Sequence, residues 1–373
     1  MDWNKKREEL IDKLPTLLDL LNHWAFGEEK GALQVEKSHF KGVFPTHVHQ
    51  GMFDTVRMPD GYIRLVPMSL AFNAYYRGQS SYYADCKPAL YRKGMSEDDI
   101  FVERLKACEL QLLIETYPMY HIFLQGIAVN YPDGRQKPIR FAIDTLALAQ
   151  HYGIKTELVD LTCDKWVAAF FAATDYDSNT DTYHPVIDKH RYGIMYHYWD
   201  ITTIGFEKTY LRAVGLQPFS RPGEQAGFVL ELAKDENLNR LKSCEKIKFR
   251  HDARVSELIF NYTNRGNKLF PKDILDGKAL IIRNNDKNNK DSVIHFSHDA
   301  YNMAKEIFYP DMEEAILSDY MKKQKITLSH DRVVAFTEEE KEQCYKNWEQ
   351  TKEDFFSKIN VSFSYMGDSE WTI

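Results

Sequence analysis

An α+β fold is what this sequence predicts: a mixed, mainly antiparallel sheet core packed with helices, followed by a helical C-terminal tail. Three observations predict it. Runs rich in aromatic and β-branched residues at 72–77, 156–161, 193–199 and 226–232 read as strands. The segment 163–174, centred on Trp166-Val167-Ala168-Ala169-Phe170-Phe171, is apolar almost all round and reads as a helix inside the core. Apolar residues elsewhere recur at helical spacing, over 5–22, 97–116 and most of 300–360.

Taken in order, 5–22 carries Leu10, Ile11, Leu14, Leu17, Leu18 and Leu21 on one helical face. Residues 23–70 read as short strands and turns, with turn signals at Phe44-Pro45-Thr46 and Pro59-Asp60-Gly61. The strand at 72–77 is expected to stop at Gly78. Glu97, Asp98 and Asp99 favour a helix N-terminus, because acidic side chains complement the positive end of the helix dipole. A helix over 141–152 ends at Gly153, a residue suited to a left-handed C-cap. Thr162 or Asp160 is the expected cap of the apolar helix. Residues 175–188, rich in Asp, Ser, Asn and Thr, read as a surface loop. The run 283–291 has no apolar member and marks a boundary. A strand over 326–335 interrupts the helical tail.

Composition narrows the class. With 373 residues, 43% of them hydrophobic, and 22 Tyr, 22 Phe and 6 Trp, the chain has ample material for a core, so global disorder is excluded. A net charge of −7 argues against a general phosphate-backbone binder, although a local basic groove, such as 242–254, stays open. Five cysteines with no CxxC spacing argue against a zinc ribbon and against a secreted disulfide framework. The N-terminus lacks a signal-peptide apolar core, and the longest strongly apolar run, 166–173, is too short to span a bilayer as a helix. The expectation is a cytoplasmic protein with reduced thiols and no membrane partner.

Familiar catalytic signatures are missing. There is no GxxxxGK[ST], GxGxxG, HExxH or GxSxG. His47 and His49, or His295 and His298, could each share a face, but neither pair has a third ligand at a useful spacing, so no metal is expected. Three segments carry more. Arg77 ends an aromatic strand and precedes Gly78, which places a guanidinium where backbone is open to a phosphate or carboxylate. The ordinary alternative is an arginine paired to a core carboxylate. The stretch 148–173 sets Gln150 and His151 at one end of a strand, and Asp160, Thr162 and Asp164 before a helix start that can receive an anion. Simple capping accounts for Thr162 but not for Gln150-His151. Finally Arg221-Pro222-Gly223 reads as a turn that delivers Glu224 and Gln225 to the mouth of a strand.

In this order the segments resemble the FRG domain. Its motifs correspond here to Tyr76-Arg77-Gly78, Pro88-Ala89-Leu90-Tyr91-Arg92, Ala149-Gln150-His151-Tyr152-Gly153, Thr156-x-Leu158-Val159-Asp160-x-Thr162, Ala168 through Ala172, Arg221-Pro222, Gln225-x-Gly227-Phe228 and Leu269-Phe270-Pro271. The resemblance divides the chain into an N-terminal flank (1–70), an FRG-like domain (71–280) and a mostly helical extension (281–373). Two positions depart from the family pattern: Glu157 stands where it usually has Arg, and Leu161 where it often has Trp.

The layout is also distantly similar to ADP-ribosyltransferases. That resemblance implies a split sheet and an NAD or related nucleotide as ligand. Arg77 would hold the NAD phosphates, with Thr162 beside the nicotinamide ribose and Glu224 or Gln225 at the carboxylate position. Tyr76, Gly78, Gln79, Gln150, His151, Thr156 and Asp160 would complete the ligand-binding set. Whether the chain is an enzyme stays open at this point. If it is, it would be an NAD-dependent transferase or glycohydrolase. Otherwise it would be a non-catalytic nucleotide or nucleic-acid binding module, or a structural protein whose motif residues fix the fold.

Overall fold

The computed structural model describes residues 8–26, 48–57, 62–69, 74–130, 136–178, 180–199, 211–285 and 293–360. At its centre is a six-stranded antiparallel sheet. Its strands are Ala74–Gln79 (β1), Leu158–Thr162 (β2), Tyr192–Trp199 (β3), Leu211–Ala213 (β4), Gly227–Glu231 (β5) and Cys244–Arg250 (β6). Their order is β4-β5-β2-β1-β3-β6. The helices used below are Leu17–Phe26 (α1), Glu97–Glu115 (α2), Pro118–Gln125 (α3), Thr145–His151 (α4), Lys165–Ala173 (α5), Arg221–Glu224 (α6), Ala253–Tyr262 (α7), Ile274–Arg283 (α8), His298–Phe308 (α9), Glu314–Lys323 (α10) and Glu338–Ser357 (α11). The expected α+β architecture is therefore present, with helices packed around the sheet and a helical C-terminal region.

Side chains alternate across a strand, so each face has its own core. Tyr75, Val159, Leu161, Ile194, Tyr196, Tyr198, Phe228 and Leu230 gather on one face. On the other, α5 lies against β1 and β3, with Ala168, Ala169, Phe170, Ala172 and Ala173 fully buried. Leu17, Leu20 and Leu21 of α1 and Ile259 of α7 close over that helix. Lys165 of α5 tethers α1 by donating from Nζ to the Leu21 carbonyl at 3.0 Å.

The long helix α2 starts at a capping box made by Ser96 and Asp99. It is buried on nearly every side. Leu110, Leu113 and Ile114 join a core with α4 and α8, whereas Phe101, Leu105 and Cys108 join one with Phe296, Tyr301 and Leu317. Residues 294–297 and 326–329 pair in parallel beneath α9 and α10.

Several expectations need correction. The helix expected over 5–22 is broken at Pro15, which lacks the N–H a helix interior needs, and α1 restarts behind Thr16. The strand β1 does not stop at Gly78 but runs to Gln79, paired with β3 throughout. The helix expected over 141–152 begins only at Thr145, capped by Asp144. Neither Thr162 nor Asp160 caps α5. Asp164 does, accepting from Trp166 N at 2.8 Å. The expected loop 175–188 contains a hairpin, 174–177 with 182–185, because Tyr176, Tyr183 and Phe171 give it a surface to pack on. Arg221-Pro222-Gly223-Glu224 is one helical turn, and the tail strand covers 326–329 only. The turn signals at 44–46 and 59–61, the start of the strand at 72–73 and His47 lie outside the described residues, as does the side chain of His49.

Candidate functional site

The C-terminal end of α4 sets Gln150 and His151 over the sheet where β2 and β5 pair. Leu158, Asp160 and Thr162 face it from β2, and Gly227 sits opposite Thr162 on β5. A side chain at Gly227 would meet the His151 ring at 3.1 Å, so the glycine is what lets the imidazole lie against the strand.

These polar side chains form one linked network. Thr156 Oγ1 accepts from Leu158 N at 3.2 Å and donates to Gln150 Oε1 at 2.8 Å. That leaves Gln150 Nε2 to donate to Asp160 Oδ2 at 3.0 Å. Gln225 Nε2 donates to the Leu269 carbonyl at 3.0 Å, so its Oε1 is an acceptor, 3.0 Å from His151 Nδ1. The proton must then sit on Nδ1 and a lone pair on Nε2. Thr162 Oγ1 donates to the Gln225 carbonyl at 2.7 Å and accepts from Asp164 N at 3.0 Å. Arg221 donates to the His151 carbonyl at 3.1 Å, pairs with Asp276 and stacks over Tyr152, whose hydroxyl bonds Asp273.

Two acceptors in this network have no donor among the described residues. His151 Nε2 and Asp160 Oδ1 are buried, unpartnered and 3.9 Å apart. One shared hydroxyl or water could satisfy both. Burial is the main effect on His151 and holds its pKa below imidazole's ordinary 6.5, against the opposing pull of Asp160 and Gln225. The ring is therefore neutral at neutral pH.

Arg77 lies on the opposite sheet face from the Asp160 carboxylate, since Tyr76, not Arg77, pairs with Thr162. Tyr76↔Thr162 is the single register pair recorded between β1 and β2. Beyond it Arg77 Nη1 crosses to the Asp160 carbonyl at 2.8 Å, and Arg77 Nε is buried without a partner among the described residues. Burial, and after it the Arg77 charge, holds Arg92 below the ordinary arginine value. On the same face Gln79 is tied to the Tyr196 hydroxyl at 3.0 Å and to Cys86 Sγ at 3.6 Å.

The expected residues thus fall into separate groups. Gln150, His151, Thr156, Asp160, Thr162 and Gln225 come together. Arg77 and Gln79 sit across the sheet from them. Tyr76 stacks on His197 at 5.2 Å and packs toward α5. Gly78 serves that same helix, as a Cβ there would lie 1.8 Å from the Ala168 carbonyl oxygen. Glu224 is exposed at the end of α6 and joins neither group. Glu157 has Arg104, Glu231 and Arg212 as its charged neighbours, and burial raises its pKa above the ordinary glutamate value. Sequence reasoning left Arg92 and Arg221 out of the site although both stand in quoted motifs. Asp273 carried only the signal of an acidic residue before an apolar run.

No group of three or more His, Cys, Asp or Glu side chains among the described residues could hold a metal ion. His295 Nδ1 bonds Thr327, and the His298 ring lies tilted against His330 at 5.2 Å. All five cysteines are buried free thiols. No helix among the described residues is long and apolar enough to cross a membrane.

The arrangement is that of an α+β protein with a polar network buried between one helix end and a sheet. A family model for the FRG domain matches residues 72–181, so the chain carries an FRG domain there. The match takes in Tyr76-Arg77-Gly78 and the strand with Asp160 and Thr162, and ends before Arg221 and Gln225, which the fold adds to the same cluster. No curated protein and no solved structure matches the chain.

Proposed function

We propose that this FRG domain-containing chain is a binding module for an anionic nucleotide, NAD or a related species, with Arg77 as the phosphate anchor. The observation that carries the reading is the state of the guanidinium. Arg77 is half-buried, its hydrogen bond goes to a backbone carbonyl, and among the described residues it forms no ion pair. An arginine that only braces a core ordinarily meets a carboxylate, because an uncompensated buried charge is costly. Here the charge is left for a ligand, and Arg92 adds a second cation nearby.

Cleavage of the nicotinamide–ribose bond is the second reading. Its oxocarbenium-like transition state needs a carboxylate. Gln225 carries no charge and spends both ends of its amide on His151 and Leu269, and Glu224 stands apart. Asp160 favours this reading, as a carboxylate with one free oxygen inside the network.

Calorimetry with NAD and with ADP-ribose, alongside an assay for released nicotinamide, tests both. Binding in the millimolar range or tighter, weakened at least about tenfold by Arg77→Ala with no nicotinamide formed, is the expected result. Absence of heat with either ligand at millimolar concentration sinks the binding reading. Nicotinamide release that disappears in Asp160→Asn would establish the second.

A further inference from the structure

We propose that a cavity between α3, α8 and α11, which shares Asp273 with the polar network but none of Arg77, Gln150, His151 or Asp160, binds a neutral, planar heteroaromatic molecule of one or two fused rings. Its volume is about 320 Å³. That is the small end of the range for small-molecule pockets, about 300–1,000 Å³. Five aromatic rings make its walls. Tyr117 and Phe219 stand 4.7 Å apart, and Phe123 lies 5.6 Å from Trp348 and 5.3 Å from Phe355. Such walls favour a flat apolar ligand, through ring stacking and edge contacts.

The charges in the lining do not select an ion. Asp273 is already spent: its Oδ1 accepts from Leu275 N at 3.0 Å and Asp276 N at 3.1 Å, and its Oδ2 takes the Tyr152 hydroxyl. Lys272 is exposed. A cation would therefore lose its hydration without gaining a partner, and an anion would meet only the solvent-exposed Lys272, a weak exchange for its hydration, which favours a neutral ligand.

The polar readers are amides. Gln343 and Asn347 stand one helical turn apart on α11, and both line the cavity. Gln343 Nε2 donates to Asn347 Oδ1 at 2.7 Å, which fixes both amide orientations. Gln343 Oε1 and Asn347 Nδ2 are then left with no partner among the described residues. They offer an acceptor and a donor from neighbouring turns of one helix. A heterocycle that carries both a ring nitrogen and an N–H is the complement, the same donor and acceptor types that a single Asn or Gln amide uses on adenine. The proposal does not rest on Arg77, and the two sites are separable by mutation.

Adenine and benzimidazole are suitable neutral probes, with benzoate and benzylamine as charged counterparts. Calorimetry and tryptophan fluorescence on the full chain give the readout. Binding of the neutral probes is expected, with a fluorescence change that Trp348→Phe removes. The double variant Gln343→Leu, Asn347→Leu should weaken it about tenfold or more. Both positions are exposed and leucine is a good helix former, so the fold is retained. Arg77→Ala should leave this binding unchanged. The proposal is overturned by no binding at millimolar probe, by equal binding of benzoate or benzylamine, by full affinity in the double variant, or by loss in Arg77→Ala.

Discussion

At Gly78 the missing side chain makes room for a helix. The sequence suggests backbone opened to a ligand, but a Cβ would overlap the Ala168 carbonyl and lie 2.6 Å from Ala172 N. Gly78→Ala should cost about 1–3 kcal/mol in urea unfolding, since backbone on both sides must move. Unchanged stability would contradict the packing of β1 on α5. His151 gives a pH test. Its folded pKa is depressed, so the unfolded chain binds the extra proton first as pH falls. The stabilisation it brings is fully present above about 6.5 and is lost below that, down through the folded value. Urea midpoints measured from pH 7.5 to 5 should fall less steeply in His151→Gln than in the wild type. An identical slope would mean the ring is not held neutral. The identity of these residues as a group was legible from their motif order, because one helix end and one strand separated by a few residues nearly always meet. Their division by sheet face was not, as it depends on the register Tyr76↔Thr162.

Elements with strong local signals came out as the residues suggest. Acidic Glu97, Asp98 and Asp99 open α2, and Gly153 ends the α4 region at φ +86°. The cap of α5 shows where local reading failed. Three candidates lie within five residues, and only the path of the strand turning into the helix picks Asp164. Asp164→Ala should therefore destabilise by about 1 kcal/mol by losing the bond to Trp166 N. Thr162→Val tests something else, the tie from β2 to the Gln225 carbonyl. If Thr162→Val shortens α5 helicity and Asp164→Ala does not, the assignment is reversed. The 174–185 hairpin was hidden for a related reason. Its residues are polar enough for a loop, and only the aromatic surface of Phe170, Phe171 and Phe270 makes pairing worthwhile.

Across the molecule, α2 is the element most changed by context. Its alternating acidic and apolar residues suggest a helix with one wet face, yet Glu103, Lys106 and Glu109 are all buried. Lys106 pairs with Glu103 at 3.1 Å, and Glu109 Oε1 receives the Ser297 N–H. The C-terminal region thus completes a core that begins at residue 100. Phe296→Ala, at a fully buried position against Phe101 and Leu105, should cost about 3–5 kcal/mol. The five buried thiols offer a global check. They should react slowly with a thiol reagent in the native protein, and all five should react in denaturant; burial also pushes Cys108 and Cys244 up to about 12.

By itself the sequence determined the α+β class, the main strands, a buried helix over 163–174 and the FRG motif residues, because hydrophobic period is local. Tertiary structure decided the strand order, which sheet face each motif residue occupies, and which partners use up Gln225 and leave Arg77 without an acid among the described residues. These depend on contacts between residues far apart in the chain, from Arg77 to Asp160 and from Gln225 to Leu269, which no local pattern encodes.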